Sequence, residues 1–513
     1  MAVDRNSFVT YHCKPLIPFD AEYPLTLADV AINPAVNSRY LLCYEAPPDP
    51  SYRKSLVESL KVALESFLIE PTEGVFALPE ILGRIHVDPL NKKHFLKITK
   101  DSVVDLVVSY RNDIVFEELE PKGGFPMRCL KSSIFATGLD GLPAPEKDGS
   151  GIKAFSTQIT FIQRGFIICV SKHHFLIDGT ATANMIKRWF SRVRNHFSHG
   201  SLKDAESIPS SSLLAMHDKT SLLKTLNVEP LEHPHWKIVP GSGPSVFGVL
   251  VPPRILMTIS KFLPEFLVPK IVSGIFHFTP TSLKQLRADL QKHTKTRLSM
   301  NDAISALIWR CVTRARIYSH SQAAHPETSS LAMAVNGRRK LDPPLVDEYF
   351  GNCVFLAPSS VPISVLISQG SVSLSKVAEA IRESLLNKTD DHHMRSLLQL
   401  CGAQNSVTNM VMAHNTFMGY DLMVTSWARF FDSLEDLDVG HGKFRCWRLP
   451  DGGVFDGIIS ILPTYGMRDC VEDKDLESYP GGLQVAIDLL RRSMESLKAD
   501  SEWLRYATWA EDC

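Results

Sequence analysis

Apolar and polar residues follow helical and strand periods along most of the chain, and the two kinds of segment are interleaved. Residues 52–68 carry an apolar stripe at helical spacing, whereas residues 165–170 form a continuous apolar run typical of a buried strand. Residues 154–163, a turn at Arg164 and that apolar run predict a hairpin.

The second half of the chain shows the same mixture. Residues 279–292 predict a helix that starts at a Thr-Pro pair, and residues 299–315 predict a longer capped helix. Residues 331–336 predict a strand, and residues 482–498 predict a helix near the end. Strands and helices that alternate in both halves predict an α/β fold.

The length predicts two domains, because 513 residues exceed what one hydrophobic core usually holds. Residues 199–244 lose periodicity and gain Ser, Pro, Gly and His. We therefore predict a first domain over residues 1–215, a crossover segment over 216–275, and a second domain over 276–513.

The segment 246–278 is unusually apolar, but charged residues and four prolines interrupt it. It contains no unbroken apolar span of about 18 residues, so a transmembrane helix is not expected. Packing between the domains is the favoured interpretation. A membrane-surface patch and a lining for a lipophilic substrate are the alternatives.

Charge and cysteine content exclude several classes of function. The 55 Lys and Arg residues nearly balance the 56 Asp and Glu residues, so the formal net charge of −1 gives no attraction to nucleic acid. The ten cysteines include no C-x-x-C pair, and residues 1–20 lack the apolar region of a signal peptide. A reducing, cytoplasmic location is expected.

Candidate chemistry lies directly after the buried strand, where His173 and His174 precede Asp178 and Gly179. A helix is predicted to begin near Thr180. A histidine at such a junction suits a general base, because its pKa lies near working pH. The alternative is a buried polar loop without catalytic function.

The spacing of His174 and Asp178, followed by Gly179, resembles the active-site motif of BAHD-type, CoA-dependent acyltransferases. Condensation domains of nonribosomal peptide synthetases share this motif. Further matches favour the BAHD type, and they are Thr425-Ser426-Trp427, the Tyr-Phe-Gly-Asn element at 349–352, a helix ending in Trp-Arg at 301–310, and Asp438-Val439-Gly440-His441-Gly442-Lys443. The last of these resembles Asp-Phe-Gly-Trp-Gly, with Val439 and His441 replacing the two aromatics.

The resemblance covers about residues 20 to 490 and is similar in style to fungal trichothecene 3-O-acetyltransferase-like enzymes. It implies two similar-sized, chloramphenicol-acetyltransferase-like α/β domains with an active-site channel between them. CoA thioester would enter from one face and the acceptor from the other. His174 would be the general base, and the indole N–H of Trp427 would stabilise the oxyanion.

The resemblance also implies roles for the other matched residues. Structural roles at the active site are expected for Asp178, Gly179, Asp438, Gly440 and Gly442. Positions along the substrate and CoA channel are expected for Thr425, Ser426, Arg338 and Lys443. An ion pair is expected to hold Asp178, with Arg310 or Arg297 as candidate partners.

Alternatives remain for three of these residues. Trp427 can be a core residue, and His441 is expected to be a packing or surface residue. Arg338 lies in a basic turn that can meet the 3′-phosphate of CoA or be a solvated loop. If adjacent strand residues face opposite sides, His173 points into the fold, and the pKa of His174 is expected near the unperturbed value of about 6.5.

The function predicted from these matches is acyl transfer, most simply of acetyl, from acyl-CoA to a hydroxyl of a lipophilic secondary metabolite. The expected protein is a monomer that holds no bound cofactor or metal and uses acyl-CoA as co-substrate. One alternative is a condensation-like or N-acyltransferase that uses a carrier-protein thioester. The other is a catalytically silent binding protein on the same fold.

Overall fold

Two large β-sheets with helices packed against them organise the protein. A computed structural model describes residues 7–32, 35–71, 75–120, 124–146, 148–200, 202, 210–223, 227–239, 270–319, 325–406, 409–431, 433–451, 455–464 and 481–510. The strands are β1 (Phe8–Cys13), β2 (Ala21–Pro24), β3 (Asn37–Glu45), β4 (Arg84–Val87), β5 (His94–Ile98), β6 (Val104–Val115), β7 (Ile152–Lys153), β8 (Phe155–Gln163), β9 (Gly165–His173), β10 (Trp236–Ile238), β11 (Ile271–Phe278), β12 (Thr328–Asn336), β13 (Val354–Pro362), β14 (Met410–Met412), β15 (Leu422–Ser426), β16 (Lys443–Arg448), β17 (Ile458–Pro463), β18 (Leu483–Leu490) and β19 (Thr508–Trp509).

Helices connect and cover these strands. The α-helices are α1 (Leu27–Val30), α2 (Tyr52–Glu65), α3 (Phe116–Leu119), α4 (Ser132–Phe135), α5 (Gly179–His199), α6 (Ser210–Ala215), α7 (Thr220–Leu223), α8 (Pro280–Gln291), α9 (Met300–Ser319), α10 (Ile363–Ile367), α11 (Ser371–Asn387), α12 (Asp391–Gly402), α13 (Arg491–Lys498) and α14 (Ser501–Leu504). Short 3-10 turns cover Pro79–Leu82, Met127–Cys129 and Leu434–Leu437.

The first large sheet has six described strands in the order β1-β6-β8-β9-β3-β16. The predicted hairpin is confirmed, because β8 and β9 pair antiparallel across a turn at Arg164, whose φ is 60°. Every residue of β9 is buried, as its continuous apolar run predicts. Helices α2 and α5 pack together over this sheet, and the Trp189 indole N–H donates to the Leu60 carbonyl over 3.1 Å.

The second large sheet has seven described strands in the order β13-β12-β15-β17-β18-β11-β19. Strands β12, β15 and β17 run parallel, and the others pair antiparallel. One face packs against α8, α9 and α11 in a core that includes the fully buried Trp309 and Trp503. The other face carries polar side chains, among them Thr425 and Ser460, and lines a cavity.

A strand from the second half joins the first sheet. Strand β16 (Lys443–Arg448) pairs antiparallel with β3, with a register shift between Phe444 and Cys446. Arg448 at its end is fully buried and donates to the Gln484 side chain on β18 over 2.6 Å. The two halves are therefore joined by backbone and side-chain hydrogen bonds.

Most elements predicted in the second half are confirmed with small shifts of their ends. Thr279 caps α8 by accepting the Ser282 N–H over 3.1 Å, and α9 extends the helix predicted over residues 299–315. The helix predicted over residues 482–498 is wrong in its first half, which is strand β18. That strand is paired on both edges and buried on both faces, so its apolar residues do not alternate as in a half-exposed strand.

The apolar segment 246–278 is described only at its end. Residues 246–269 lie outside the described residues, and Ile271–Phe278 forms β11, which begins within the predicted crossover segment 216–275. The domain bounds at residues 215 and 276 stay predictions. No described helix combines the length and the apolar character that a membrane crossing requires.

Candidate active site

Two histidines lie where strand β9 ends and helix α5 begins. His173 is the last residue of β9, and the His174 N–H continues the ladder by donating to the Val36 carbonyl over 2.8 Å. Helix α5 then starts at Gly179, with Asp178 as its N-cap. The strand, the turn and the helix cap together fix the position of the second histidine.

The two histidines have different surroundings, as the alternation of a strand predicts. His173 is 1% exposed, and its Nδ1 accepts the Phe175 N–H over 3.0 Å. His174 lines the cavity between the sheets. Its Nδ1 is buried and meets no hydrogen-bond partner in the described part of the chain.

The cavity has a volume of about 670 Å³ and takes its walls from both halves of the chain. Its lining includes His174 from the first half and Thr425, Ser426 and Trp427 from the second. Gly179, at the first turn of α5, also lines it. The residues predicted from distant motifs are thus brought to one cavity.

Trp427 is held by other aromatic rings at the edge of the cavity. The Tyr40 ring contacts it edge-on at 5.2 Å between centroids, and the Phe430 ring is stacked at 6.2 Å. No acceptor among the described residues takes its indole N–H. Because an indole nitrogen is a donor only, this N–H is available to an oxygen inside the cavity.

Asp178 ties the His174 turn to the second half of the chain. Its carboxylate accepts two hydrogen bonds from Arg338 over 2.7 and 3.0 Å, one from the Ala181 N–H and one from the Cys353 N–H, both over 2.9 Å. Burial acts to raise the pKa of Asp178, but Arg338 and the backbone donors outweigh it and hold that pKa below its ordinary value.

The arginine that pairs with Asp178 corrects two predictions. Neither Arg310 nor Arg297 is the partner, since Arg310 pairs with Glu502 over 3.1 Å and Arg338 pairs with Asp178. Arg338 is also fully buried and donates to the carbonyls of Tyr349 and Gly351, so it does not lie in a channel where it can meet CoA. Arg338 lies in a basic turn of the sequence, which predicts a solvent-exposed side chain and not a buried ion pair.

Asn352, from the Tyr-Phe-Gly-Asn element, holds the backbone of His174 by a hydrogen bond. Its side-chain amide donates to the His174 carbonyl over 2.9 Å and to Asp29 over 3.0 Å. Asp29 in turn forms a capping box with Thr26 at the start of α1. The element at 349–352 is visible in the sequence, but the contact of its asparagine with the histidine turn is not, because it joins residues far apart in the chain.

The residues that resemble Asp-Phe-Gly-Trp-Gly lie in a separate cleft, away from His174. Asp438 accepts the Gly440 N–H over 2.8 Å, and the positive φ values of Gly440 (81°) and Gly442 (75°) allow the tight turn. Lys443 lies in this cleft too, and its place along the substrate and CoA channel stays a prediction.

The two replaced aromatics of that element are compatible with its packing. Val439 is fully buried in the core of the first half. The His441 ring stacks on the Tyr52 ring at 3.8 Å between centroids, which confirms the packing interpretation of this histidine.

Electrostatics favour a neutral His174. Burial lowers its pKa to about 3, and the positive charge of Lys172 acts in the same direction. The expectation of a pKa near 6.5 is therefore wrong, because the ring lies deep between the sheets. Lys172 is itself fully buried, donates to the Ile177 carbonyl, and has its pKa lowered by burial to about 7.

The lowered pKa predicts how activity depends on pH. A base must be neutral to accept a proton, so kcat/KM is expected to stay flat from pH 8 to about pH 5 while the protein is folded. Stability should behave differently. His173 and His174 each have a pKa of about 3 in the folded protein and of about 6.5 in the unfolded chain. Their contribution to stability is therefore complete above about pH 6.5 and declines as the pH falls from about 6.5 toward 3.

Initial rates at low substrate, with circular dichroism at each pH, check this prediction. A one-proton decrease in kcat/KM with a midpoint near 6.5 in protein that remains folded would contradict the lowered pKa of His174.

The Phe430 ring leaves no space for a side chain at position 179, so we predict that stability requires Gly179. A Cβ at this position would overlap the Phe430 ring, within van der Waals contact distance. We expect Gly179→Ala to reduce the free energy of unfolding by about 1–3 kcal/mol, the usual effect of overpacking. Urea unfolding measures this change. In the double variant with Phe430→Leu the loss should shrink, and equal losses with and without the Phe430 change would rule out this clash.

Among the described residues, no three His, Cys, Asp or Glu side chains lie where they can share a metal ion.

Comparisons with known proteins cover both halves of the chain. Residues 37–193 match the trichothecene 3-O-acetyltransferase-like N-terminal domain, and residues 265–504 match the Transferase family. The eremophilane O-acetyltransferases of Penicillium roqueforti and Penicillium rubens are each 25% identical to the chain, over 93% of it and 96% of their own length. An acyltransferase of Emericella nidulans is 26% identical over 71% of both chains.

Solved structures agree in fold. F. graminearum TRI101, complexed with coenzyme A and deoxynivalenol, superposes with a TM-score of 0.73 at 20% identity, covering 96% of this chain and all of that one. Vinorine synthase superposes with a TM-score of 0.60 at 17% identity, covering 98% of this chain and 99% of its own. These similarities confirm the predicted α/β fold class.

Proposed function

We propose that the chain is an acyl-CoA-dependent acyltransferase of the BAHD type, which transfers acetyl from acetyl-CoA to a hydroxyl of a lipophilic secondary metabolite. One observation carries the proposal. His174 and Trp427, whose indole N–H meets no acceptor among the described residues, line the same cavity from opposite halves of the chain.

His174 acts as the general base. A neutral ring with its proton on Nδ1 presents the Nε2 lone pair to the cavity, and the pKa of about 3 keeps that ring neutral. As the hydroxyl oxygen of the acceptor attacks the thioester carbonyl carbon, its proton moves to Nε2. When the tetrahedral intermediate collapses, the C–S bond breaks, and the imidazolium returns the proton to the leaving CoA sulfur.

Trp427 stabilises the charge that develops on the carbonyl oxygen. Its indole N–H can donate to the oxyanion of the tetrahedral intermediate, and a donor inside a dry cavity contributes more than one in water. Asp178 takes no part in the proton transfer. Its four hydrogen bonds fix the turn that carries His174, so it acts as a positioning residue.

Acyl-CoA is the co-substrate, and acetyl is the acyl group that the relatives support. Both Penicillium relatives carry the name O-acetyltransferase, and solved TRI101 structures hold coenzyme A or ethyl coenzyme A. The named substrate class of those relatives makes a hydroxylated eremophilane the first acceptor to test.

A lipophilic acceptor fits the walls of the cavity. Apolar side chains that line it include Met127, Leu142, Val335, Phe430 and Leu449. The volume of about 670 Å³ lies within the range of pockets that enclose small organic ligands.

Labelled acetyl-CoA tests this proposal. Purified protein is incubated with the label and either a hydroxylated eremophilane or a metabolite extract, and organic-soluble label is identified by mass spectrometry. We expect an O-acetyl ester with the wild type and much less with His174→Ala. Transfer only from an acyl carrier-protein thioester would favour the condensation-like alternative, and no transfer from either donor would favour a silent binding protein.

A further inference from the structure

Arg39 is a buried cation that faces the cavity without a bonding partner. Its residue is 8% exposed and lines the cavity from strand β3. In the described part of the chain, no side chain or carbonyl forms a hydrogen bond or ion pair with its guanidinium. Leaving the donors of a largely buried guanidinium unpaired is costly, so this side chain points to an oxygen that a bound molecule supplies.

Gly141 leaves room for the Arg39 guanidinium, and the carboxylates of Asp140 and Asp451 place negative charge near it. A Cβ at Gly141 would lie only 3.0 Å from an Arg39 Nη, so the glycine allows the close approach. Burial lowers the pKa of Arg39, while Cys169, Asp140 and Asp451 act in the opposite direction. Asp451 is anchored by accepting the Ser132 N–H.

Strand register places Arg39 close to the reacting centre. The His174 N–H bonds the Val36 carbonyl, and Arg39 lies three residues further along that strand. At about 3.3 Å a residue, the separation along the strand is about 10 Å. Arg39 and His174 line the same cavity, so one molecule that fills it can reach His174 with a hydroxyl and Arg39 with a second oxygen.

Charge selects the kind of oxygen. Asp140 and Asp451 supply two negative charges near the single positive charge of Arg39, which disfavours a carboxylate or phosphate at this end of the cavity. A neutral carbonyl or ether oxygen accepts the hydrogen bonds without adding negative charge. The same repulsion disfavours the phosphates of CoA here and favours the acceptor.

We propose that Arg39 recognises the acceptor through a neutral carbonyl or ether oxygen at the end of the molecule away from the hydroxyl that is acylated. This inference rests on the proposed function, because it takes the hydroxyl to lie at His174. It narrows the substrate class from a lipophilic alcohol to a lipophilic alcohol with a second, uncharged oxygen at its far end.

Two matched alcohols test the inference. The first is a hydroxylated eremophilane with a ketone on the opposite end of its ring system, and the second has a methylene group in place of that ketone. Initial rates give kcat/KM for each alcohol and KM for acetyl-CoA, in the wild type, Arg39→Met, Arg39→Lys and Arg505→Met. Arg505 is an exposed arginine whose side chain is 63% accessible, and it controls for the removal of an arginine as such.

The wild type should prefer the ketone by about 10- to 100-fold in kcat/KM, the usual effect of a hydrogen bond from a charged donor. Arg39→Met should reduce this ratio to near one without changing KM for acetyl-CoA. Arg39→Lys should keep part of the preference, and Arg505→Met all of it. Melting temperatures identify the variants that fold. If Arg39→Met does not fold, Arg39→Lys still tests the inference.

Other outcomes overturn the inference. A folded Arg39→Met or Arg39→Lys variant with the full wild-type preference would show that Arg39 does not read the acceptor. An increase in KM for acetyl-CoA with an unchanged ketone preference would assign Arg39 to an amide carbonyl of the CoA arm. Wild-type protein that acetylates both alcohols equally also contradicts it, whereas acetylation of neither counts against the proposed function on which it rests.

Discussion

Replacing His174 by Ala is expected to lower kcat by about 10²- to 10⁴-fold, the usual contribution of a positioned general base. The side chain lines the cavity, and its turn is held by backbone hydrogen bonds that the substitution leaves in place. The loss should therefore appear in turnover far more than in stability. Steady-state acetyl transfer, after circular dichroism has confirmed the fold, measures it.

His173 is the matched control for this substitution. It is adjacent in sequence but buried, and its Nδ1 bonds the Phe175 N–H instead of facing the cavity. His173→Ala should act through stability, with kcat of the folded fraction changed much less. If the folded His173 variant were inactive and the His174 variant still turned over, the motif would be aligned wrongly by one residue.

Replacing Arg338 by Met is expected to reduce the free energy of unfolding by about 3–5 kcal/mol. The reason is that both members of the Asp178–Arg338 ion pair are fully buried, so the substitution leaves a carboxylate without its charged partner. Two backbone N–H groups still donate to that carboxylate, and they do not replace a positive charge. Urea or guanidinium unfolding measures the change.

The neighbouring arginine provides the control. Arg339 pairs with Asp347 at the surface, where its side chain is 80% exposed. Arg339→Met should change stability little, because solvent screens exposed ion pairs. Equal effects of the two substitutions would contradict the structural role assigned to the buried pair.

Asp178→Asn removes the negative charge of the same ion pair. It should lower activity by loosening the turn that carries His174, together with a loss of stability. A variant with wild-type stability and no turnover would mean that Asp178 is a catalytic carboxylate and not a positioning residue.

Local pattern predicted the elements around the site well. The apolar run of β9 and the glycine after Asp178 indicated a buried strand, a turn and a helix, and all three are found in that order. Such signals arise from neighbours in sequence, where periodicity and capping chemistry are decided. The same signals failed for β18, whose apolar residues follow from its central place in a sheet and carry no period of their own.

Contacts between distant residues were harder to predict. Arg338 and Asp178 are 160 positions apart and follow strands of different sheets, and nothing near either residue in the sequence indicates that they meet. A basic turn suggested a solvated surface, whereas Arg338 is buried and neutralised by a single carboxylate. The low pKa of His174 has the same origin, because the burial that causes it depends on both halves of the chain.

Residues outside the recognised motifs gave no signal at all. Arg39 lies within an apolar strand, where one arginine is easily taken for an edge residue. Its place in the cavity depends on Gly141 and on the second half of the chain, which supplies Asp451. The specificity of the site is therefore less visible in the sequence than its chemistry.

Direct transfer within one cavity is the central claim, and the most direct test combines CoA release with intact-protein mass spectrometry. Purified protein is mixed with acetyl-CoA, with and without a hydroxylated eremophilane, and both free thiol and protein mass are followed. Free CoA should appear in proportion to the ester formed, only when the alcohol is present, and the protein mass should stay unchanged. An acetylated protein formed without the alcohol, or ester formed only from a carrier-protein thioester, would contradict direct transfer from CoA to a hydroxyl at His174.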